Sequence, residues 1–153
     1  MKLNFIEKFL GSGFYTGYIP IASGTFASFA ALLIYWIPGF ENPFIIIPLI
    51  LVFTFYGVYV GNKFDVIYGK DPAECTIDEV VGMWISLLFL PKTLSVSILA
   101  FFIWRAFDII KPYPARKLEN LKGGVGIMID DVVAGIYSLI FLHIIFVIFK
   151  QYL

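Results

Sequence analysis

The sequence predicts an all-α, polytopic helical integral membrane protein that forms a single domain over residues 1–153. Hydrophobic residues make up 60% of the chain and aromatic residues 19%, while charged residues make up only 14%. A soluble domain is usually about 45–50% apolar and about 25% charged. A water-soluble domain of this length could not cover so much apolar surface. The net charge is zero, which argues against nucleic acid as a partner.

The N-terminal segment is predicted to form a short helix in the membrane interface. Its apolar residues recur at helical spacing with polar residues between them, at Leu3, Ile6, Phe9 and Leu10. An amphipathic helix of this kind lies in the plane of the interface rather than across the bilayer. The segment also lacks the unbroken apolar core of a secretory signal peptide.

Five apolar segments follow, so we expect about five membrane helices. They cover approximately residues 19–37, 44–60, 72–90, 94–110 and 132–149. Crossing a bilayer takes roughly 20 helical residues. The third segment reaches that length only if its helix begins at Pro72. Asp71 as N-cap, Pro72 at the first helical position and Glu74 at the third together predict such a start.

The basic residues predict the orientation of these helices. Of the eleven, only Lys92 and Lys150 fall on the side opposite the N-terminus and the two longer loops. The positive-inside rule therefore places the N-terminus and both loops in the cytoplasm. Nearly all of the ionisable residues then lie on the cytoplasmic face.

The first of three polar clusters on that face is DPAECTIDEVVG, residues 71–82. On one helix, Glu74 and Asp78 would share a face, and like charges placed this way repel unless a cation lies nearby. Capping is a sufficient explanation for Asp71 and Glu74. Asp78 and Glu79 lie beyond the cap, where acidic residues entering a bilayer are rare and usually functional.

The second cluster is WRAFDIIKPYPAR, residues 104–116. Arg105, Asp108 and Lys111 are spaced by three near a helix end, so they can line one side, and two prolines then end the helix. Anchoring at the cytoplasmic surface is a sufficient explanation for Arg116 and Lys117. It does not explain why an acidic residue, Asp108, lies among these basic ones.

The third cluster is LKGGVGIMIDDVVAG, residues 121–135. Gly123, Gly124 and Gly126 allow the backbone to approach an anion closely, although any turn uses glycine. Asp130 and Asp131 are expected to open the last membrane helix. An N-cap would account for Asp130 alone, whereas two adjacent acids opposite another acidic helix end favour a divalent metal.

The chemistry of these side chains favours magnesium. Sites rich in carboxylates and poor in cysteine and histidine select hard cations, and Mg²⁺ is typically held by one or two carboxylates together with phosphate oxygens of the substrate. Neighbouring basic residues would bind the phosphate. The sequence therefore predicts a Mg²⁺-dependent site at the cytoplasmic membrane surface, acting on a phosphorylated substrate.

Four ordered motifs together resemble the phosphatidylglycerophosphatase A family. They are ASGTFAS at 22–28, IDEVVG at 77–82, R-x-F-D-x-x-K-P-x-P at 105–114 and GG-x-G-I-M-x-DD-x-x-AG at 123–135. In the first motif, Ser23 replaces a proline of the family pattern and Ala27 replaces a glycine. The resemblance implies a single membrane-embedded phosphatase domain that hydrolyses phosphatidylglycerophosphate to phosphatidylglycerol and phosphate in the bacterial cytoplasmic membrane. No protein partner is predicted.

The resemblance and the residue chemistry lead to the same predicted site. The predicted metal ligands are Asp78, Glu79, Asp130 and Asp131. The predicted catalytic residues are Asp78, Asp108, Lys111 and Asp131. The residues predicted to bind the substrate phosphate are Arg105, Lys111, Thr25 and Gly124.

Other functions fit the sequence less well. A cysteine phosphatase needs Cys-x5-Arg, but Val81 stands six residues after Cys75. A lipid phosphatase with a histidine nucleophile needs a histidine near basic residues. The single histidine, His143, lies deep in the last segment and is expected to be structural. A CDP-alcohol phosphotransferase would also use metal-bound acids, but its signature is absent. A divalent-cation or proton transporter usually places its site near the bilayer midplane between repeated halves, and no repeat is visible here.

Overall fold

The computed structural model describes residues 2–150, which form helices and connecting turns with no strand in that range. The predicted all-α class is confirmed. Seven α-helices lie in the described part of the chain, together with one 3-10 turn at Thr16–Tyr18. In chain order they are α1 Phe5–Gly11, α2 Ser23–Tyr35, α3 Pro43–Tyr68, α4 Ile77–Ser86, α5 Leu94–Ile110, α6 Ala115–Leu118 and α7 Gly123–Phe149.

Two of the described helices, α3 and α7, are long and apolar enough to cross a membrane. Their most apolar stretches have a mean hydropathy of 2.3 and 2.6, yet only 28% and 22% of those stretches are buried within the protein. The core helix of a soluble protein would be mostly buried, so the exposed apolar faces fit a membrane protein. The prediction of about five spans is not confirmed, since α2 has 13 residues and α5 has 17.

The predicted third membrane helix, residues 72–90, is wrong. Asp71 has a positive φ of 49°, and the chain turns through residues 73–74 before α4 begins at Ile77. Asp71 and Glu74 therefore cap no helix, and Glu74 shares no helix face with Asp78. At 1.5 Å per residue, the ten residues of α4 span about 15 Å, roughly half of a hydrocarbon core. Nine of the ten are buried, so α4 is an internal half-helix enclosed by the others.

The last helix also differs from its prediction. It begins at Gly123 instead of near residue 132. Asp130 and Asp131 therefore do not open the helix but lie two turns inside it. Both are 2% exposed, so they are enclosed by protein rather than by lipid or water.

Helix α1 forms as the sequence predicts, and its placement in the membrane interface stays a prediction. Asn4 and Glu7 form a capping box at its start. Glu7 is buried against α3, where it accepts hydrogen bonds from Lys63 and from the Tyr59 hydroxyl, the latter at 3.1 Å. This polar contact fixes the short helix to the body of the protein.

Helix α4 is the element around which the others pack. Its Trp84 indole donates to the carbonyl of Ala31 on α2 at 3.0 Å, and Trp104 on α5 donates to Ser28 on α2 at 2.9 Å. These bonds tie α2, α4 and α5 together through buried indoles that would otherwise lack partners. Glycines bring α3 and α7 together: a Cβ atom on Gly61 would lie 2.9 Å from the Cα of Gly124.

The two ends of the bundle differ in chemistry. The start of α4 and the end of α5 carry the acidic and basic residues of the predicted site. At the opposite end, the ammonium of Lys92 donates to the carbonyl of Ile37 at 2.9 Å and to Glu41 at 2.6 Å. The loop after α2 and the loop after α4 therefore lie side by side, at the end remote from the acidic cluster.

Candidate active site

Three carboxylates converge where α4 and α7 meet. Asp78 and Glu79 come from the first turn of α4, and Asp131 comes from α7. One oxygen from each lies within 4.8 Å of the other two. Three of the four metal ligands predicted from the sequence therefore lie close together.

Close packing of two parallel helices explains this convergence. Gly82 lies one turn after Asp78, and Gly135 lies one turn after Asp131. A Cβ atom on Gly135 would lie only 3.0 Å from the carbonyl oxygen of Gly82. Since Gly135 has no side chain, α7 approaches the backbone of α4 closely at Gly82, and the carboxylates one turn earlier meet.

A cavity of about 200 Å³ opens beside the three carboxylates. Five carboxylates and one cation, Lys111, line it. Its lining residues are Ser23, Asp71, Pro72, Ala73, Cys75, Asp78, Glu79, Asp108, Lys111 and Asp131. The cavity therefore joins the start of α4 to the end of α5, as the three sequence clusters predict.

Several oxygens of this site are buried without a hydrogen-bond partner among the described residues. They include Oδ1 of Asp78 and Oε2 of Glu79. A buried carboxylate is costly unless it is paired or coordinates a metal. Oxygen ligands from two or three carboxylates suit Mg²⁺, which also keeps positions for water and phosphate oxygens. The residues present therefore fit a magnesium ion.

Basic residues stand on the other side of the same site. The guanidinium of Arg105 forms an ion pair with Asp108 one turn later on α5. Lys111 caps α5 with a left-handed backbone (φ of 47°), and its ammonium lies 2.5 Å from Oδ2 of Asp130. Asp130 is thus paired with Lys111 and does not belong to the group of three carboxylates.

Three of the four residues predicted to bind phosphate, Arg105, Thr25 and Gly124, are absent from the cavity lining. Thr25 is half-buried in the first turn of α2. Gly124 packs against α3, and its amide donates to Oδ1 of Asn62 at 2.8 Å. In the structure this glycine permits close helix packing, and no contact directs it towards the acidic cavity.

Sequence reasoning missed three neighbours of the site. Ser23 and Asp71 line the cavity, and Gly24 lies beside it. A Cβ atom on Gly24 would collide with the carboxylate of Glu79 and lie 3.3 Å from Nη1 of Arg105. The polar break at residues 23–25 in an apolar segment was the available signal. Asp71 was explained as a helix cap, which hid its place in the cavity.

The cysteine and the histidine occupy different surroundings. Cys75 is buried in the cavity wall, and burial, together with the nearby Glu79 and Asp71 carboxylates, raises the pKa of its thiol far above the usual range. A nucleophilic cysteine needs a lowered pKa. Nδ1 of His143 lies 2.8 Å from the carbonyl oxygen of Leu139 within α7, outside the cavity lining.

Comparison with known proteins decides the family. The family model for phosphatidylglycerophosphatase A matches residues 9–146. The chain belongs to the phosphatidylglycerophosphatase A family. Membership makes the protein a phosphatase of the phospholipid-synthesis class rather than a phosphotransferase or a transporter. No solved structure matches the chain.

Three named relatives match most of the chain. The Escherichia coli phosphatidylglycerophosphatase A is 37% identical, covering 90% of this chain and 82% of its own. The Haemophilus influenzae phosphatidylglycerophosphatase A is 38% identical, and the match covers 86% of this chain and 83% of the relative. A Bacteroides thetaiotaomicron protein, provisionally named a phosphatidylinositol-3-phosphatase, is 40% identical, covering 92% and 94%.

Proposed function

We propose that this protein hydrolyses phosphatidylglycerophosphate to phosphatidylglycerol and inorganic phosphate. The observation that carries this proposal is the meeting of Asp78, Glu79 and Asp131 in one cavity with Lys111. This arrangement supports phosphate-monoester chemistry. The names of the Escherichia coli and Haemophilus influenzae relatives support the substrate.

We further propose that the reaction depends on Mg²⁺ held by Asp78, Glu79 and Asp131. When bound, the ion supplies positive charge that neutralises the phosphate oxygens. The unpartnered oxygens of Asp78 and Glu79 support this assignment. Asp130 was also predicted to bind the metal, but its pairing with Lys111 favours a positioning role instead.

The side chains of this protein then supply binding, orientation and proton transfer. Lys111 and Arg105 donate hydrogen bonds to the phosphate oxygens, where charge develops as the bond to the leaving oxygen breaks. Lys111 is oriented by Asp130, and Arg105 is oriented by Asp108. Each cation therefore has a carboxylate that holds it in place before the substrate arrives.

Two routes of phosphorus–oxygen cleavage are compatible with this site. In the first, a carboxylate takes a proton from water while the water oxygen bonds to phosphorus and the glycerol oxygen leaves. In the second, a carboxylate oxygen bonds to phosphorus as the glycerol oxygen leaves, and water then cleaves the acyl phosphate. Acid quench during a single turnover on lipid labelled with ³²P in the monoester separates them, because only the second route leaves labelled phosphate covalently bound to the enzyme.

We also propose that the site faces the cytoplasm of a bacterial cell. Nine of the eleven basic residues lie at the N-terminus, in the loops or in the adjoining helix ends at the site end of the molecule. The contact of Lys92 with the loop after α2 supports an alternating course in which α2, α3, α4, α5 and α7 run between two opposite ends. Helices α2 and α4 are too short to cross a bilayer alone.

The test of the proposed function compares two lipids. Purified enzyme in detergent micelles is given phosphatidylglycerophosphate or phosphatidylinositol 3-phosphate, and released phosphate is measured. We expect kcat/KM to be at least about tenfold higher for phosphatidylglycerophosphate. Asp78→Asn should lower hydrolysis of either lipid by about a hundredfold or more. A preference for the inositol lipid would contradict the proposal and favour the phosphatidylinositol-3-phosphatase activity for which the Bacteroides relative is named. Cation flux in proteoliposomes without phosphate release would return the protein to the transporter class.

A further inference from the structure

A second and larger cavity adjoins the acidic one. It measures about 540 Å³ and is lined by Ile110, Lys111, Pro112, Tyr113, Arg116, Lys117 and Asn120. We call it the α6 cavity, because α6 contributes Arg116 and Lys117. Lys111 lines both cavities, so the two spaces are neighbours that share one cation.

The charge of the α6 cavity is opposite to that of its neighbour. Three of its lining residues are basic and none is acidic, whereas the catalytic cavity has five carboxylates in its lining. Lys111 is paired with Asp130 and Glu119, whereas Arg116 and Lys117 form no ion pair among the described residues. Such cations suit an anion, and arginine binds phosphate oxygens in a bidentate manner. The catalytic centre does not use Arg116 or Lys117, which leaves this charge without a role in the chemistry.

The segment that carries these cations is held in place. The hydroxyl of Tyr137 on α7 donates to the carbonyl of Tyr113 at 2.9 Å, and Ala115 is fully buried. Arg116 donates to the carbonyl of Ile110 at 3.2 Å, which folds its side chain back over the end of α5. The basic residues therefore stand on a fixed short helix rather than on a loose loop.

The α6 cavity also has an apolar part. Ile110 is 62% exposed and Tyr113 is 78% exposed, beside the exposed Arg116 and Lys117. An exposed site that combines cations with aromatic and aliphatic side chains is amphipathic in the way that a membrane lipid is. Tyrosine in such a site is typical of the boundary between headgroups and acyl chains.

We propose that the α6 cavity binds the phosphodiester of the lipid substrate while the phosphate monoester occupies the catalytic cavity. This inference rests on the proposed function. A glycerophospholipid with a phosphorylated headgroup carries two phosphates, a diester joined to diacylglycerol and a terminal monoester. The two neighbouring cavities match the two phosphates, and Lys111 lies between them. Arg116 and Lys117 are then substrate-binding residues that select lipids with a diester, and Tyr113 faces the first part of the acyl chains.

The experiment measures KM and kcat separately on phosphatidylglycerophosphate in mixed micelles. The test variant is Arg116→Ala/Lys117→Ala. The matched control is Lys70→Ala/Lys122→Ala, which removes the same net charge from two exposed lysines that line a different cavity at the same end. We expect KM to rise at least about tenfold in the test variant with kcat within about twofold, since each lost charged contact weakens binding. The control should change KM by less than about twofold.

Three outcomes would overturn the inference. An unchanged KM in the test variant would show that the diester does not bind there. An equal rise in both double variants would indicate general attraction to an anionic surface. A fall in kcat alone would place Arg116 and Lys117 in the chemistry instead. The conservative Arg116→Lys variant, which keeps the charge, should retain more affinity than Arg116→Ala, and thermal unfolding checks that each variant folds.

The design separates this inference from the proposed function. If the parent enzyme is inactive on phosphatidylglycerophosphate but cleaves phosphatidylinositol 3-phosphate, the proposed substrate is wrong. The inositol lipid also carries a diester beside its monoester, so the same KM comparison is then made on it. A selective rise in KM there would uphold the α6 cavity as a diester site, and its absence would overturn it.

Discussion

Gly82 on α4 lies against Gly135 on α7, with the carbonyl oxygen of the first 3.0 Å from where a Cβ atom of the second would be. Each glycine comes one turn after a carboxylate of the site, Asp78 and Asp131. The absence of a side chain at Gly135 thus sets the separation of the two acids. On its other side, Gly82 faces the ring of Trp104, which is fully buried.

The first prediction concerns this contact. Gly82→Ala would place a methyl group 2.0 Å from a ring carbon of Trp104, which is fully buried. We expect this substitution to lower the free energy of unfolding by about 1–3 kcal/mol. It should also reduce activity. Gly135→Ala meets its neighbours at 3.0–3.2 Å and should cost less. Denaturant unfolding in detergent checks the order. Equal and small effects would mean that α4 packs less closely against Trp104 of α5 and against α7 than described.

The second prediction concerns the carboxylates of the site. Asp78→Asn preserves shape and removes charge, so the protein should still fold and insert but lose activity by about a hundredfold or more, as when a preorganised catalytic group is removed. Glu74→Gln is the matched control, because Glu74 lies before α4 and does not line the cavity. Phosphate release under identical conditions is the measurement. Equal loss in both variants would remove the distinction between them.

The third prediction separates two adjacent acids. Asp131 belongs to the group of three carboxylates, whereas Asp130 is paired with Lys111. Asp131→Asn should raise the Mg²⁺ concentration needed for half-maximal activity. Asp130→Asn should leave that concentration unchanged while lowering kcat about tenfold, as expected of a residue that orients another. A shift in Mg²⁺ requirement in both variants would restore Asp130 as a ligand.

The fourth prediction concerns metal removal. If carboxylates and Mg²⁺ carry the reaction, EDTA should abolish activity and added Mg²⁺ should restore it. The variant Cys75→Ser/His143→Ala should stay within several-fold of the parent, because the buried thiol is protonated and His143 bonds within its own helix. An EDTA-resistant enzyme that fails on losing Cys75 would return the cysteine mechanism to consideration.

The fifth prediction concerns sidedness. In sealed right-side-out vesicles, an impermeant substrate added outside should be hydrolysed poorly until the vesicles are opened, since we propose that the basic loops and the site face the cytoplasm. The control is a marker enzyme of known orientation in the same vesicles. Full activity in sealed vesicles would reverse the assigned topology.

The sequence predicted the helical class, the bounds of α5 and the convergence of three clusters. These depend on composition, apolar run length and local spacing, which a sequence carries directly. It could not show that α4 begins only at Ile77, because DPAE matches a helix start by local rules while the chain turns there with Asp71 at a positive φ. The tertiary contacts that enclose α4, rather than the local capping signals, determine where this helix begins.

The site shows the same division between local and tertiary information. Adjacency in sequence grouped Asp130 with Asp131, but on a helix neighbouring side chains point about 100° apart, so one faces Lys111 and the other faces α4. Gly24 and Ser23 were missed because their role depends on α2 packing beside Glu79, a contact between residues that are distant in the chain.

Because α4 is enclosed on all sides and also carries two of the three converging acids, catalysis and folding share one element. Residues on the exposed faces of α3 and α7 can be replaced without affecting folding or catalysis. On α4, a change that loosens packing displaces the acids, and a change that removes an acid alters a buried charge balance. Stability and activity are therefore coupled in this protein, and neither can be improved on α4 without consequence for the other.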